Sequence, residues 1–510
     1  METARQAIIN QRFLHEGETT EDEVWQRVAN YWSTNDEEAE QFYLMMKNKL
    51  AFPNTPAIAN AGRTKAQGSA CFVLPIADSL VDGPDSIMQT LSNTAAVHKS
   101  GGGTGFSFGR IRGKGSRVQS TGRDAPGPVE FLRLYSDAIG RVTQAGLRPG
   151  ANMGILPVNH PDIMDFIHCK TTEGTIHNFN ISIAITDEFM RSPRNDVWEA
   201  VVQNAWRNGE PGVLFIDTIN DTSLHPELIE STNPCGEVPL LPYEACVLGS
   251  INLAAHVTIQ NGMLVLDESK LRKTACTLTR LLDNIIDKQD YPLPIIEKTH
   301  KRYRKIGVGV MGYADALIEL GIDYGSDLAI TMAKHWMSHV QQATYIESAI
   351  LGNEKGLYGA RRRFSTLEEF RGSGLPGRRN LMCQVIAPTG TISRLAGCSF
   401  GIEPNFAREY DSFVVGGIFR ERHRLADHPN YVVAKDVLPN QHIRTQAAFQ
   451  RYTDQAVSKT VNLPASATVE DVSDVYRLAW DSGCKGVTVL REDSRDDVVL
   501  KDCASGVCEF

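Results

Sequence analysis

The sequence has 510 residues, of which 42% are hydrophobic and 22% charged, as in ordinary globular proteins. Its formal net charge of -9 argues against an extensive nucleic-acid surface, which would need clustered Lys and Arg. No signal peptide and no apolar run of about 18 residues is evident, so we expect a cytoplasmic protein without a membrane partner. Its ten cysteines do not predict structural disulfides in that reducing compartment.

The hydropathy pattern divides the chain into three parts. Residues 1–50 are polar and predicted to be helical, with a helix start at Thr20. From residue 51 to 495, short apolar runs alternate with amphipathic stretches, including a predicted strand at 305–310. This alternation predicts an α/β fold with a largely parallel core. Residues 496–510 lack periodicity and predict a flexible tail.

Helical spacing is clearest at residues 129–142, and further helices are expected at 313–320 and 329–343. Between the strand at 305–310 and the first of these later helices lies a G-x-G-x-x-G pattern at 307–312. A dinucleotide site would need a second strand ending in Asp or Glu about 20 residues on, but a helix is predicted there. A close-packed strand-to-helix turn is favoured, and a nicotinamide-dependent dehydrogenase is a distant alternative.

Two other segments are rich in glycine or small hydroxyl residues. Residues 100–105 read S-G-G-G-T-G, without the G-K-[S/T] ending of a phosphate-binding loop, so close approach to a ligand and a flexible turn are both open. Residues 387–393 read A-P-T-G-T-I-S. Backbone N–H groups and hydroxyls at a helix start favour anion binding there, although an N-cap explains part of the pattern.

The motif N-P-C-G-E at 233–237 places an amide, a thiol and a carboxylate at alternate positions. In an extended segment, Asn233, Cys235 and Glu237 would share one side. A neighbouring carboxylate raises a thiol's pKa, and no His lies near, so nucleophilic catalysis is disfavoured. Hydrogen-atom chemistry at Cys235 with Glu237 as general base fits better. The alternative is a buried cysteine in a turn capped by Glu237.

Several metal and cofactor motifs are absent from the sequence. It contains neither C-x-x-C nor the C-x-x-x-C-x-x-C cluster of an iron–sulfur radical initiator. It also lacks D-x-H-x-x-G, which accompanies a histidine ligand to cobalamin. We therefore predict no protein-bound metal. Four cysteines have no motif around them and are expected to be ordinary thiols: Cys169, Cys276, Cys383 and Cys484.

Taken together, the motifs resemble the catalytic chain of ribonucleotide reductases over residues 54–510. N-P-C-G-E and A-P-T-G-T-I-S are the most specific strings, and three more occur in the family's order: S-A-C-F-V-L-P at 69–75, S-G-G-G-T-G-F-S-F-G-R-I-R at 100–112, and C-V-L-G-S-I-N-L at 246–253. The resemblance implies a ten-stranded α/β barrel with Cys235 on a central finger loop, preceded by the small helical segment.

The resemblance also implies roles for five residues in making deoxyribonucleotides. Cys235 would form the thiyl radical that removes the 3′-hydrogen of a ribonucleotide. Glu237 would take the 3′-hydroxyl proton, and Asn233 would hydrogen-bond the substrate. Cys71 and Cys246 would supply electrons as the 2′-hydroxyl leaves as water, and would close to a disulfide.

Cys503 and Cys508 in the tail are candidates to reduce that disulfide. Thioredoxin or glutaredoxin would then reduce the two tail cysteines again. The alternative is that Cys503 and Cys508 are surface thiols without a role. The family also binds a dNTP or ATP effector at a dimer interface, in a region that corresponds here to Asp78, Arg112 and the loop that begins at Arg148, so a homodimer is expected. The expected substrate-lining residues are Thr55, Ala70, Cys71, Gly103, Asn233 and Glu237, with Pro388, Thr389, Gly390, Thr391 and Ile392 around the diphosphate.

The radical source is expected to be adenosylcobalamin. Relatives that take the radical from a separate metal subunit use adjacent tyrosines, and no Tyr-Tyr pair occurs in this sequence. N-P-C-G-E and the string K-G-V-T-V at 485–489 are similar to the cobalamin-dependent kind. Two alternatives stay open: a large subunit that needs a metal-radical partner, and a non-catalytic nucleotide-binding regulator.

The segment before Asn54 is too short for the ATP-binding regulatory module that many reductases carry. We therefore expect specificity regulation without dATP shut-off. The choice between di- and triphosphate substrates is not determined by the sequence.

Overall fold

The computed structural model describes residues 3–144, 148–149, 151–172, 174–357, 377–414, 417–494 and 500–502. Its helices are Ala4–Ile8, Glu21–Trp32, Asp36–Lys47, Thr55–Asn60, Ile87–Lys99, Pro128–Ile139, Ile163–His168, Asp187–Arg191, Asp196–Asn208, Ile216–Asp221, Glu268–Lys288, Pro294–Tyr303, Tyr313–Glu319, Asp327–Lys355, Gly390–Ala396, Pro439–Gln450 and Val469–Asp481, with a π-helix at Ile9–Phe13 and 3₁₀ turns at Leu253–His256 and Ala434–Asp436. None of these helices is long and apolar enough to cross a membrane.

The N-terminal segment is helical, as predicted. Thr20 caps Glu21–Trp32 in a reciprocal capping box with Glu23. The buried face of this helix, with Trp25 and Trp32, joins one continuous apolar core with Ile285 on the barrel side. The helical segment therefore packs as part of the same body as the residues that follow it.

One large sheet forms the centre of the molecule. Its ten strands are β1 Ala51–Pro53, β2 Cys71–Val73, β3 Gly103–Ser107, β4 Asn152–Pro157, β5 Phe179–Ile185, β6 Gly212–Phe215, β7 Ala245–Asn252, β8 Ile306–Met311, β9 Thr460–Leu463 and β10 Gly486–Arg491. Short strands outside this sheet are Arg117–Val118, Arg123–Asp124, Thr143–Gln144, Arg148–Pro149, Ser231–Thr232, Pro239–Leu240, Val257–Gln260, Met263–Leu266, Glu409–Val414, Gly417–Arg422 and Leu500–Asp502.

The strand order closes this sheet into a barrel. Strands β2 to β6 run parallel to one another in chain order. Antiparallel pairs β2–β7 and β6–β10 join them to a second parallel set, β7–β8 and β9–β10. Segment 384–386 fills the gap between β8 and β9 through the parallel bridges Val308–Gln384 and Ile386–Val457. It therefore takes the tenth strand position of the barrel. The predicted ten-stranded α/β barrel is confirmed, and β1 pairs with β7 as an added strand.

The glycines at 307–312 serve strand packing rather than dinucleotide binding. An ideal Cβ at Gly309 would lie 2.2 Å from the Val385 carbonyl oxygen, and one at Gly307 would lie 2.3 Å from Val385 Cγ1. Gly312, at a φ of +72°, begins the helix Tyr313–Glu319. A larger residue at 307 or 309 would separate β8 from the neighbouring barrel segment at 384–386.

Candidate active site

The motif at 233–237 forms the tip of a hairpin whose arms are Ser231–Thr232 and Pro239–Leu240. The extended conformation expected for this motif is wrong: the Gly236 N–H donates to the Asn233 carbonyl oxygen at 3.1 Å, which closes a turn, and Gly236 has a φ of +81°. Asn233 Oδ1 accepts from the Val238 N–H at 2.9 Å. A side chain of the motif thus fixes the loop that presents Cys235.

The hairpin, hereafter the finger (residues 231–240), passes through the barrel interior. An ideal Cβ at Gly105 on β3 would lie 1.6 Å from the Thr232 carbonyl oxygen, so only glycine allows this approach. Across the barrel, the Ala456 N–H donates to the Glu237 carbonyl oxygen at 2.9 Å. The glycine-rich segment at 100–105 therefore makes room for the finger.

Cys71 and Cys246 lie directly opposite each other on the antiparallel strands β2 and β7. Directly opposed residues of such a pair have Cα atoms about 4.5–5.5 Å apart, which lies within the range that a disulfide spans. Asn233 Nδ2 donates to Cys71 Sγ at 3.3 Å, which brings the finger to this pair. The register thus joins two cysteines that are 175 positions apart in sequence.

Both opposed thiols are held in the protonated form. Burial, together with the nearby Glu237, Cys246 and Cys235, raises the pKa of Cys71 well above its usual value. Burial also raises the pKa of Cys246, although Lys305 opposes the shift. An S–H group, unlike a thiolate, can donate a hydrogen atom, so this environment suits radical chemistry more than nucleophilic attack.

Glu237 is buried and only partly satisfied by hydrogen bonds. Burial raises its pKa to about 7, against the opposing effect of the Asn233 side chain and of the backbone N–H of Glu237. Its Oε2 atom is buried and has no hydrogen-bond partner. A carboxylate that titrates near neutral pH with one oxygen available is suited to general acid–base chemistry.

A second buried carboxylate, Glu244, follows the second arm of the finger and was not predicted. Its Oε2 lies 3.3 Å from Lys305 Nζ and 3.2 Å from His225 Nε2, and accepts from the Leu241 N–H at 2.9 Å. Burial opposes its ionisation, but His225, Lys305 and these hydrogen bonds lower its pKa to about 2. Burial lowers the pKa of His225, although the neighbouring Glu244 opposes that shift.

A cavity of about 950 Å³ of empty volume opens beside the finger, and Cys235 lines it. Pro388, from the segment expected to hold the diphosphate, lines the same cavity. The Asn180 side chain on β5 donates to the Pro234 carbonyl oxygen at 2.9 Å and contributes to the wall. The wall also includes residues of β4, β5, β6, β9 and β10, together with Gly209, Glu210, Val457, Ser458 and Lys459.

The segment 388–392 enters the helix Gly390–Ala396 through Thr389, whose φ is +62°. The Thr389 hydroxyl shares a hydrogen bond with Ser393 Oγ at 2.7 Å and accepts another from the Gly401 N–H at 2.7 Å. Its hydrogen bonds therefore stabilise the loop itself. Arg12 Nη1 donates to Thr391 Oγ1 at 3.5 Å. No sequence signal identifies Arg12, since 379 positions separate the two residues and only the fold brings them together.

Two of the remaining predicted substrate residues, Ala70 and Gly103, are in contact beside the start of β2. The Gly103 N–H donates to the Ala70 carbonyl oxygen at 2.9 Å. Thr55 begins the helix Thr55–Asn60 directly after β1. Its neighbour Asn54, which was not predicted, is buried with neither side-chain polar atom hydrogen-bonded, although its N–H donates to the Leu248 carbonyl oxygen at 2.8 Å.

Two of the three predicted effector residues form a contact. Arg112 Nε donates to Asp78 Oδ2 at 2.7 Å in a partly exposed ion pair. Arg148 lies in the short strand Arg148–Pro149, and its side chain is outside the described residues. Cys503 and Cys508 also lie outside the described residues.

Family models match most of the chain. The model for the ribonucleotide reductase barrel domain matches residues 69–196, 192–374 and 420–490. The model for the ribonucleotide reductase all-alpha domain matches residues 6–66. Because these two models together cover well over half of the chain, the chain is a member of the ribonucleotide reductase family.

Two relatives of known name are similar to the chain over most of its length. The chain is 41% identical to a vitamin B12-dependent ribonucleoside-diphosphate reductase of Thermoplasma acidophilum over 90% of this chain and 66% of that protein. It is 40% identical to the protein of the same name from Mycobacterium tuberculosis over 91% of this chain and 74% of that one. The chain thus spans about two thirds of the length of the first relative.

A solved structure shows the same fold at greater sequence distance. The Actinobacillus ureae class Id ribonucleotide reductase alpha subunit superposes with a TM-score of 0.79, at 21% identity, over 96% of each chain. The fold of the chain is therefore that of a reductase alpha subunit.

Proposed function

We propose that the chain reduces ribonucleotides, in particular ribonucleoside diphosphates, to 2′-deoxyribonucleotides by thiyl-radical chemistry. The observation that carries the proposal is the convergence of Cys71, Asn233 and Glu237 between β2, β7 and the finger that presents Cys235. A non-catalytic nucleotide-binding regulator would have no use for an unpaired buried carboxylate beside opposed thiols.

Each residue of this group has a distinct task. A Cys235 thiyl takes the 3′-hydrogen atom of the substrate, while Glu237 accepts the 3′-hydroxyl proton through Oε2. The 2′-hydroxyl leaves as water with a proton from a thiol, and Cys71 and Cys246 supply two electrons as they form a disulfide. The 2′-carbon takes up the hydrogen of the other thiol, and Glu237 returns its proton to the 3′-oxygen. Cys235 then returns a hydrogen atom to the 3′-carbon, so the products are one deoxyribonucleotide, one water and one disulfide.

The substrate's phosphates are assigned to the segment 388–392. The N–H groups at the start of Gly390–Ala396 point to the site of an anion, and Arg12 adds a positive charge beside Thr391. Thr55, Ala70 and Gly103 would line the sugar and base. The Arg12 contact also assigns a binding role to the N-terminal helical segment.

We infer that the radical source is adenosylcobalamin, as in the relatives named for vitamin B12. The two charged side chains of the cavity wall are paired, Lys459 with Glu403 and Glu210 with Lys170, so the lining suits a group without net charge. The wall also offers Asn180, Ser182 and Thr488 as hydrogen-bonding side chains. When bound, this cofactor supplies a carbon-centred radical by cleavage of its cobalt–carbon bond. Asn180, Ser182 and Thr488 would hold it, and Cys235 would stay shielded from bulk water.

Further partners follow from the same proposal. The Cys71–Cys246 disulfide would be reduced by Cys503 and Cys508, and these by thioredoxin or glutaredoxin. Asp78 and Arg112, with Arg148, would contact a dNTP or ATP effector across a homodimer interface.

An anaerobic turnover assay of the purified chain tests the proposal. It would contain a ribonucleoside di- or triphosphate, a dithiol and adenosylcobalamin, with Cys235→Ser as control. We expect deoxynucleotide only when cobalamin and Cys235 are both present. Absence of product under all effector conditions would contradict the proposal.

A second candidate is a reductase large subunit that needs a separate metal-radical subunit. The fold match to a class Id alpha subunit favours it, as do relatives named subunit alpha at 25–26% identity. Rescue of an inactive chain by such a subunit, without cobalamin, would establish this candidate. The missing Tyr-Tyr pair argues against it.

A further inference from the structure

Two long helices on the outside of the barrel bring three metal-binding side chains together. His335 and His339 lie one turn apart on Asp327–Lys355, and residues at this spacing share one helix face. Glu268 is the first residue of the neighbouring helix, Glu268–Lys288. One ligand atom from each of the three lies within 4.8 Å of the others.

The distances among these three ligand atoms match those expected around one shared metal ion. His335 Nε2 and His339 Nε2 are 3.3 Å apart, and ligands about 2.0–2.1 Å from a tetrahedral ion are separated by roughly this distance. Glu268 Oε1 lies 2.7 Å from His335 Nε2, and Glu268 Oε2 lies 3.0 Å from His339 Nε2. Both rings therefore direct the same nitrogen toward one point beside the carboxylate.

Arg272 is a permanent positive charge that acts on both Glu268 and His339. The two nearby positive side chains of Glu268–Lys288 have other partners, since Lys270 Nζ donates to the Ala255 carbonyl oxygen and Arg272 Nη2 donates to Gln342 Oε1. The His339 side chain is 13% exposed, whereas those of His335 and Glu268 are 45% and 46% exposed. The site is thus anchored on one side and open to solvent on the other.

We propose that Glu268, His335 and His339 bind one divalent transition-metal ion, best matched by zinc, with the remaining position open to water. Two imidazoles and one carboxylate form a donor set that zinc accepts in proteins. The site lies outside the barrel, so the proposal does not depend on the activity proposed above.

An ion held there would tie two helices together behind the barrel. The helix Glu268–Lys288 packs against β7 so closely that an ideal Cβ at Gly249 would lie 2.7 Å from Leu278 Cδ1. β7 also carries Cys246. Metal binding would therefore stabilise the helix layer that supports one of the opposed thiols.

Zinc titration of the full chain tests the proposal. The cobalamin-free protein, reduced with a phosphine, would compete for zinc with a chromophoric chelator. We expect about one equivalent to bind, with affinity falling at least tenfold in His335→Ala and His339→Ala and several-fold in Glu268→Gln. His177→Ala, at an exposed histidine elsewhere, is the matched control and should bind like the parent chain.

Cobalt(II) in place of zinc separates this site from the cysteines. Nitrogen and oxygen ligands give weak visible bands, whereas thiolate ligands add strong near-ultraviolet charge-transfer absorption. Equal zinc affinity in all variants, or a cobalt spectrum of thiolate type alone, would overturn the proposal. If His339→Ala loses its circular dichroism signal, the more exposed His335→Ala decides the outcome.

Discussion

Two carboxylates, Glu237 at the tip of the finger and Glu244 just after its second arm, are both buried but have opposite properties. Burial raises the pKa of Glu237 to about 7, and its Oε2 has no partner. Glu244, seven residues later, has a pKa lowered to about 2 by His225, Lys305 and hydrogen bonds that outweigh burial. Burial is common to the two, so the presence of a compensating cation sets the charge.

The contrast separates a reactive group from a structural one. A paired buried carboxylate stays ionised and costs stability if its partner is removed, whereas an unpaired one exchanges a proton near neutral pH. Glu237 therefore fits the proposed base. Glu244 and Lys305 hold β7 and the arm of the finger at Pro239, whose carbonyl oxygen accepts from Lys305 Nζ.

The largest expected effect is on activity in Glu237→Gln. Loss of a general base lowers turnover by about 10²–10⁴-fold. The same change should raise the free energy of unfolding at pH 8, by on the order of 3 kcal/mol, because a charge with a raised pKa is no longer buried. The anaerobic assay and thermal unfolding measure the two effects.

Glu230→Gln is the matched control, since this carboxylate at the base of the finger is partly exposed and paired with Arg110. Glu230→Gln should change neither the turnover nor the free energy of unfolding appreciably. Near-normal turnover in Glu237→Gln would remove Glu237 from the mechanism.

Glu244→Gln should lower the free energy of unfolding strongly, whereas Glu237→Gln should raise it. It leaves Lys305 buried without its counter-ion, at a cost of about 3–5 kcal/mol. Lys305→Met in the same chain should recover most of the loss. Thermal unfolding at pH 7 measures both. Because the folded pKa is lowered, the stabilisation by Glu244 is present above about pH 4.5 and disappears as pH falls toward 2.

Gly105→Ala tests whether the finger must approach β3 this closely. The added Cβ would meet the Thr232 carbonyl oxygen, a backbone atom, so we expect about 1–3 kcal/mol of lost stability and at least tenfold lower turnover. Gly154→Ala on the neighbouring β4 is the control, because its nearest atom is the flexible Leu132 Cδ1 at 3.1 Å. Equal effects at both positions would contradict this account of the finger.

The smallest expected effect is a shift in the pH profile. If Glu237 must be ionised, kcat/KM rises with pH and levels off above about 7. Asn233→Ala removes a hydrogen bond that lowers the pKa of Glu237, so the midpoint should move upward by on the order of half a pH unit. A downward shift, or none, would show that Asn233 does not act on Glu237.

Much of this arrangement follows from local sequence. The strand at 306–311 and the helix Tyr313–Glu319 were predicted to within one residue, because apolar periodicity reflects which face is buried. The next helix, Asp327–Lys355, extends well beyond the predicted 329–343. The motif resemblance predicted the barrel, the finger and a group of five residues: Cys71, Asn233, Cys235, Glu237 and Cys246. The conformation of 233–237 was predicted wrongly, since alternate polar residues suggested an extended chain where Gly236 allows a turn.

What the sequence by itself determined is chemistry carried by short segments: the thiols, the carboxylate beside Cys235, and the glycines that permit close approach. Only the tertiary structure decided which distant residues meet, such as Cys71 with Cys246, Arg12 with Thr391, and Glu244 with Lys305. The physical reason is that local pattern records burial and backbone freedom, whereas contacts over hundreds of positions depend on strand register and barrel closure. The same closure fixes the charge of Glu237 and Glu244, because a buried group's pKa depends on which partners the fold brings beside it.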